Sequence, residues 1–392
     1  MSKNLRELEQ LQSNLEYQNN ELRVFIADIL PIENRNEVDM QDRLEEVENL
    51  VNTYGGIVIL KHIQKRGTPD YKNYIGTGKI DEIISEMKEN NANLLILGNI
   101  LKPIQIHNIN EKLKEIGAKA WDRVDLILKI FEKNAKTDES RLQIELASIK
   151  HMGPRIFGMS EELGSQGSGG NKGSRGKGET NTEIMKRHLL KREEFIKQEL
   201  KKFEKTRKEH RKSREKKGLK TVGIVGYTNA GKSSLMNILT QKGVLAENKL
   251  FATLGTSVGK MYIENSYDKN GIFIPKKDIL VNDTIGFIRD LPPSLIASFS
   301  STLEDSIEAN ILLHVIDASD PKIEEKIEVV EEVLKKINAT QDKIYVFNKI
   351  DLISDEKLLE LKEKFIDLSP VFISTYKNKN IDKLKEIIIK KI

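Results

Sequence analysis

One stretch constrains this chain more than any other: Gly226-Tyr227-Thr228-Asn229-Ala230-Gly231-Lys232-Ser233, which fits G-x-x-x-x-G-K-[ST]. The apolar run Val222 to Val225 precedes it and Ser234 to Thr240 follows, so the pattern predicts a strand, a glycine turn and a helix. Glycine lets the backbone curl until the amides of Ala230 to Ser233 point at phosphate oxygens, helped by the helix N-terminus. Lys232 then reaches the β- and γ-phosphates, and the Ser233 hydroxyl is a candidate Mg²⁺ ligand. The whole loop, with Ser234, is expected to contact nucleotide.

Three further stretches, each placed after a predicted strand, turn a phosphate loop into a guanine-nucleotide site. Asp283-Thr284-Ile285-Gly286 follows Ile279 to Val281, where a carboxylate holds Mg²⁺ through water and the Gly286 amide faces the γ-phosphate. Asn348-Lys349-Ile350-Asp351 closes the run Lys343 to Phe347. The Asp351 carboxylate can accept both the N1–H and the 2-amino hydrogens of guanine, a donor pair that adenine lacks. Ser374-Thr375-Tyr376, after Val371 to Ile373, stands where a last base-contacting loop is expected, and Phe251-Ala252-Thr253-Leu254-Gly255 where a first switch supplies the Thr253 hydroxyl to Mg²⁺. Taken alone, either Thr253 or Ser374 reads as an ordinary turn residue. The expected substrate and product are GTP and GDP, with Lys232, Thr253 and Gly286 as catalytic candidates and Ser233 and Thr253 as metal ligands.

Phe287 occupies the position after Gly286 where Ras-like GTPases carry the Gln that orients water, so hydrolysis by the chain alone is expected to be slow. Asn229 is read in two ways: as a ligand for K⁺, whose charge would stabilise the transition state, or as a brace for the loop.

The 392 residues carry 64 Lys+Arg against 60 Asp+Glu and no Cys, which excludes a disulfide framework, a thiolate nucleophile and a Cys-ligated zinc site and suits a reducing, cytoplasmic setting. Apolar runs are far shorter than the roughly 20 residues that span a bilayer, and Met1 to Gln12 lacks the apolar core of a signal peptide. Residues 1–20 read as a helical extension. Short apolar runs then alternate with helical patterns over 21–136, predicting a first α/β domain with a parallel sheet. Residues 137–219 read as a helical hairpin around a glycine-rich loop, 164–178, with one helix stopping at Gly153-Pro154 and a second opening on a Thr180–Glu183 capping box. Residues 220–392 form a second α/β domain, and Asn265 to Lys277 reads as a hairpin insertion.

Charge is unevenly distributed. From Lys186 to Lys220 there are 16 Lys+Arg and 6 Asp+Glu, an excess of +10 that leaves −6 for the rest of a chain whose total is +4. With Lys172, Arg175 and Lys177 in the glycine tract, this suits rRNA phosphates; a solvated helix face is the alternative.

The chain resembles the HflX family of ribosome-associated GTPases over nearly everything after residue 20. The resemblance rests on Tyr74-Ile75-Gly76-Thr77-Gly78-Lys79, Asp122-Arg123, Gln143-Ile144-Glu145-Leu146-Ala147, Pro154-Arg155, Arg175-Gly176-Lys177-Gly178-Glu179-Thr180 and Asp283 to Pro292. It implies a monomeric protein, partly ribosome-associated, that binds the large ribosomal subunit near the peptidyl-transferase centre and in its GTP state separates stalled or idle ribosomes. A GTP-gated assembly chaperone with little turnover is the rival. A nucleotide-binding or RNA-unwinding first domain is a third reading, against which Tyr74 to Lys79 reads as a glycine turn before a helix. The chain departs from the family pattern at Lys177, at Gly255-Thr256-Ser257 and at Ser374-Thr375-Tyr376.

Overall fold

The computed structural model describes residues 21–30, 37–166, 181–240, 257–263, 266–267, 273–274, 277–283, 286–289, 292, 295 and 308–392. Expectations for residues 1–20, for Lys172, Arg175 and Lys177, for Thr180 as a cap, for Phe251 to Gly255 and for Thr284 and Ile285 fall outside them. The chain divides into two compact units, residues 1–133 with 148–193 and residues 134–147 with 194–392.

The first unit holds β1 (Leu22–Leu30), α1 (Glu37–Tyr54), β2 (Gly56–Lys65), α2 (Thr77–Glu89), β3 (Leu94–Leu97), α3 (Pro103–Leu113), β4 (Lys119–Asp122) and α4 (Arg123–Asn134). Its sheet is parallel in the order β2-β1-β3-β4. A parallel sheet is covered on both faces, which is why β3 is a continuous buried run, Leu94 to Leu97, rather than an alternating one. Ile80, Ile83 and Met87 of α2 and Ile106, Ile109 and Leu113 of α3 pack with Phe25, Leu95 and Leu97 on one face.

α5 (Asp138–Gln166) passes through Pro154 and continues, which corrects the expected stop at Gly153-Pro154. Proline forfeits one backbone bond and crowds the preceding turn. Side chains bracketing it compensate: His151 and Arg155, one helical turn apart, both dock on Asp122 and Asp125 of the first unit. The Arg155 guanidinium reaches Asp125 at 2.7 and 2.9 Å. Two carboxylates against His151 and Arg155 balance in charge, which makes burial of the cluster tolerable.

α6 (Asn181–Lys216), whose residues from Glu194 on belong to the second unit, ends at Gly218, which takes the left-handed φ of +65° that terminates helices. Then follow β5 (Lys220–Gly226), α7 (Lys232–Thr240), β6 (Ser257–Ile263), the hairpin pair β7 (Ser266–Tyr267) and β8 (Phe273–Ile274), β9 (Lys277–Asp283), β10 (Ile311–Asp317), α8 (Ile323–Lys336), β11 (Asp342–Asn348), α9 (Asp355–Lys364), β12 (Val371–Phe372) and α10 (Ile381–Lys391). The sheet order is β12-β11-β10-β5-β9-β6, with only the β6–β9 pairing antiparallel. From β5 the chain goes first to one side of the sheet and later returns to the other. The carboxyl end of β5 is therefore a switch point, where open α/β sheets bind ligands. Ile224, Val281, Leu313 and Val346 meet Leu235, Met236 and Leu384 in a core directly beneath that edge. Among the described residues no helix is long and apolar enough to cross a membrane.

Candidate functional site

The glycine loop turns back on itself at the end of β5 because two positions admit nothing larger than glycine. Gly226 has φ +151°, and a Cβ there would lie 2.2 Å from the Val315 carbonyl oxygen. Gly231 has φ +92° and presses on the Asn348 side-chain amide, 2.3 Å from where its Cβ would be. Between them Asn229 takes a left-handed φ of +63°, which asparagine tolerates better than most residues. Its side chain is exposed and makes no hydrogen bond to a described residue, so the bracing role has no bond to rest on there.

Lys232 starts α7 and is buried, 7% exposed, with Nζ donating to the Tyr227 carbonyl at 2.7 Å. Burial pushes its pKa down to about 8, with Asp283 pulling the other way and Lys349 adding to the drop. A desolvated ammonium favours an anion as partner, and a phosphate placed in this loop supplies one. Gly286 lies against it: a Cβ there would be 2.9 Å from Lys232 Nζ. The Ser233 hydroxyl donates to Asp283 Oδ2 at 2.7 Å. A hydroxyl and a carboxylate on facing elements form the hard-oxygen donor pair that suits Mg²⁺.

The stretch Gly286 to Arg289 is pinned to the loop. Phe287 N–H donates to the Gly226 carbonyl at 3.1 Å, and Thr228 N–H to the Phe287 carbonyl at 2.7 Å. The Phe287 ring is 2% exposed and part of the interior, so it offers no polar group to a water molecule. Arg289 N–H donates to the Tyr227 hydroxyl at 2.9 Å, and Lys326 lies over the Tyr227 ring at 5.1 Å.

At the ends of β11 and β12 the base-side residues converge. Asn348 is fully buried; its Nδ2 donates to the Ala230 carbonyl at 3.0 Å, and its Oδ1 accepts from Thr375 N–H at 3.0 Å. It therefore staples the phosphate loop to the last loop. The Ser374 hydroxyl donates to Asp351 Oδ1 and accepts from Lys377 N–H at 2.9 Å, which aims the carboxylate. Lys349, at φ +65°, pairs with Asp317 at 2.6 Å. Ile350 is buried behind this loop, whereas Tyr376 is 84% exposed and converges on nothing.

Asp317 is a side chain at this edge that the sequence reading passed over, held against Lys349. It ends β10 as Asp283 ends β9, and its second oxygen accepts from the Ser319 amide and hydroxyl at 2.9 and 2.6 Å. A carboxylate closing an apolar run was the available signal. The structure brings together the described members of Gly226 to Ser234 with Asp283, Gly286, Asn348 to Asp351, Ser374 and Thr375, all at the carboxyl edge of one sheet.

Residues 41–132, 134–214 and 221–349 match the families described as GTP-binding GTPase N-terminal, GTP-binding GTPase Middle Region and 50S ribosome-binding GTPase. GTPase HflX of Caldanaerobacter subterraneus subsp. tengcongensis is 40% identical over 314 residues, 80% of this chain and 70% of that protein. GTPase HflX of Methanocaldococcus jannaschii is 38% identical over 352 residues, covering 88% and 82%. GTPase HflX of Escherichia coli is 38% identical over 318 residues, covering 81% and 71%. A crystal structure of SsGBP with GDP superposes with a TM-score of 0.53 at 24% identity over 94% of this chain and 98% of that one, a likeness of fold.

Proposed function

Because this chain belongs to the GTPase HflX family and is a P-loop GTP hydrolase, we propose that it binds the large ribosomal subunit and that its GTP-bound state separates stalled or idle ribosomes. Support for a ribosomal partner comes from the match of residues 221–349 to a family described as 50S ribosome-binding and from the local excess of +10 between Lys186 and Lys220. Lysine and arginine clustered along one helix neutralise phosphates and release their counterions, which favours RNA.

The observation that carries the chemistry is the buried Lys232 in a loop closed by Gly226 and Gly231. Its ammonium and the Ala230 to Ser233 amides take the phosphates. Gly286, against Lys232 Nζ, presents its amide where charge develops on the γ-phosphate. Ser233 and Thr253 would hold Mg²⁺ directly, with Asp283 acting through water, and the ion would supply charge neutralisation to the phosphates. Asp351, aimed by Ser374, accepts from the guanine edge. With Phe287 where a water-orienting side chain could stand, turnover by the chain alone is slow and rises on the ribosome. Asn229, exposed at the loop tip, is free to ligate K⁺.

Multiple-turnover hydrolysis with and without purified large subunits tests this reading, alongside sedimentation of intact ribosomes with GTP or a non-hydrolysable analogue. Stimulated turnover and subunit release support it. Unchanged turnover with GTP-dependent rRNA binding retained would favour the assembly-chaperone alternative. Neutralising Lys172, Arg175 and Lys177 is expected to weaken ribosome binding while GTP binding persists, and equal rates in K⁺ and Na⁺ would remove the role of Asn229.

A further inference from the structure

Gly286 has no side chain to hold it, so the aim of its amide is set by the residues that follow. It lies so close to the phosphate loop that a Cβ there would be 2.9 Å from both Lys232 Nζ and Thr228 Cγ2. The chain is tied at Phe287, whose N–H donates to the Gly226 carbonyl and whose carbonyl accepts from Thr228 N–H. One tied residue leaves a pivot. Two residues on, a second tie removes it: Arg289 N–H donates to the Tyr227 hydroxyl at 2.9 Å, and Ile288 between the two ties is fully buried.

Arg289 is itself buried, and its guanidinium reaches Glu325 of α8 at 3.3 Å. A guanidinium taken out of water is costly unless it is paired, so this carboxylate fixes where the side chain can rest. The next residue of the helix, Lys326, lies over the Tyr227 ring at 5.1 Å. The first turn of α8 therefore touches both partners of the second tie: the ring whose hydroxyl accepts, and the side chain of the residue whose amide donates. All of these residues belong to the second unit.

We propose that Arg289 is a positioning residue that favours GTP over GDP: gripped at its amide by the Tyr227 hydroxyl and at its guanidinium by Glu325, it holds the stretch where the Gly286 amide meets the γ-phosphate. This assignment rests on the reading of Gly286 given under the proposed function. A donor fixed in place before the charge arrives spends nothing on reorganisation when the nucleotide binds. GDP has no γ-phosphate and gains nothing from that fixed amide, so the grip acts on the ratio of the two affinities.

The test is calorimetric titration of the full chain, in Mg²⁺, with GDP and with a non-hydrolysable GTP analogue. Tyr227→Phe strips the acceptor from the Arg289 amide, and Glu325→Gln strips the charge from its side-chain partner. Each should lower the affinity for the analogue relative to GDP about fivefold, the worth of one hydrogen bond. Arg289→Gln should lower the ratio about tenfold, and Arg289→Lys, which keeps the charge, should recover part of that loss. Should Arg289→Gln not fold, Tyr227→Phe and Glu325→Gln decide the matter, since Glu325 is 46% exposed and tolerates an amide of the same shape. Gly286→Ala is the control for the underlying reading and should lower the same ratio. A ratio unmoved by Gly286→Ala would overturn that reading and the proposal with it. A ratio lowered by Gly286→Ala but unmoved by either Tyr227→Phe or Glu325→Gln would overturn the proposal alone. So would equal losses for both nucleotides, or a lower melting temperature with the ratio intact, because those are the marks of an arginine that only supports the fold.

Discussion

Lys232 permits a quantitative test of how the phosphate loop works. In the described protein its ammonium is buried and its pKa lies near 8 instead of 10.5, with burial as the main cause. The drop corresponds to roughly 3 kcal/mol of unfavourable solvation of the charged form. A nucleotide triphosphate in the loop puts several negative oxygens on Nζ and returns the pKa to its ordinary value or above. Binding must then take up a proton wherever the empty lysine is neutral, and affinity must fall as pH rises. The charged fraction of the empty form drops from about three quarters at about pH 7.5 to about one tenth at about pH 9, so Kd for a non-hydrolysable GTP analogue should rise about eightfold over that range. Titration calorimetry in two buffers of different ionisation heat should record close to one proton taken up per nucleotide at the upper end. In Lys232→Arg the guanidinium stays charged throughout, so only the pH dependence due to guanine itself should remain. Constant affinity over this window, with no proton uptake, would show that the empty lysine is already charged and would refute the burial argument.

Gly226→Ala sets a Cβ 2.2 Å from the Val315 carbonyl at a φ of +151°, so it should destabilise the second unit by about 2 kcal/mol or more and abolish nucleotide binding; thermal unfolding and nucleotide titration read the two effects. Asp351→Asn replaces a charged double acceptor by a neutral amide and should lower GTP affinity about a hundredfold while narrowing the preference over ATP, measured by competition. His151 is held against Asp122 and Asp125, whose hydrogen bonds and charges raise its pKa from 6.5 to about 9 against the opposing effect of burial. Its contribution is therefore fully present below about pH 6.5 and is lost as pH rises through about 9. His151→Gln should cost about 2 to 3 kcal/mol near pH 6 and little near pH 10, so denaturation curves of variant and parent should converge at high pH.

Much of the fold could be read from the chain because its elements are locally consistent. The runs Leu94–Leu97, Ile279–Val281 and Lys343–Phe347 are bounded by turn residues and helical patterns, and each falls inside an observed strand. The contiguous motifs were equally legible, since Gly226 to Ser233 carries in eight neighbouring residues the turn, the amides and the cation that phosphate requires. The failure at Pro154 has a physical cause of another kind. A rule about backbone donors is local, whereas the ion cluster that overrides it joins His151 and Arg155 to carboxylates roughly 30 residues earlier.

The same distinction explains which parts of the site stayed hidden. Asn348 was expected at the nucleotide as a member of its motif, and in the structure its side chain also bonds Ala230, 118 residues away, and Thr375, 27 residues away. These two bonds use one of the amide's two hydrogens and one of its oxygen's two lone pairs, and the stapling they do is invisible in the sequence because the partners are backbone atoms with no residue-type signature. Asp317 and Lys349 are similar: either alone is an ordinary surface charge, and only the parallel register of β10 and β11, which sets Asp317 opposite Asn348, brings them to 2.6 Å. The placement of the Asp351 loop therefore depends on strand register as much as on motif. A substitution that shifts β11 against β10 should disturb the Asp351 loop even with every motif residue intact.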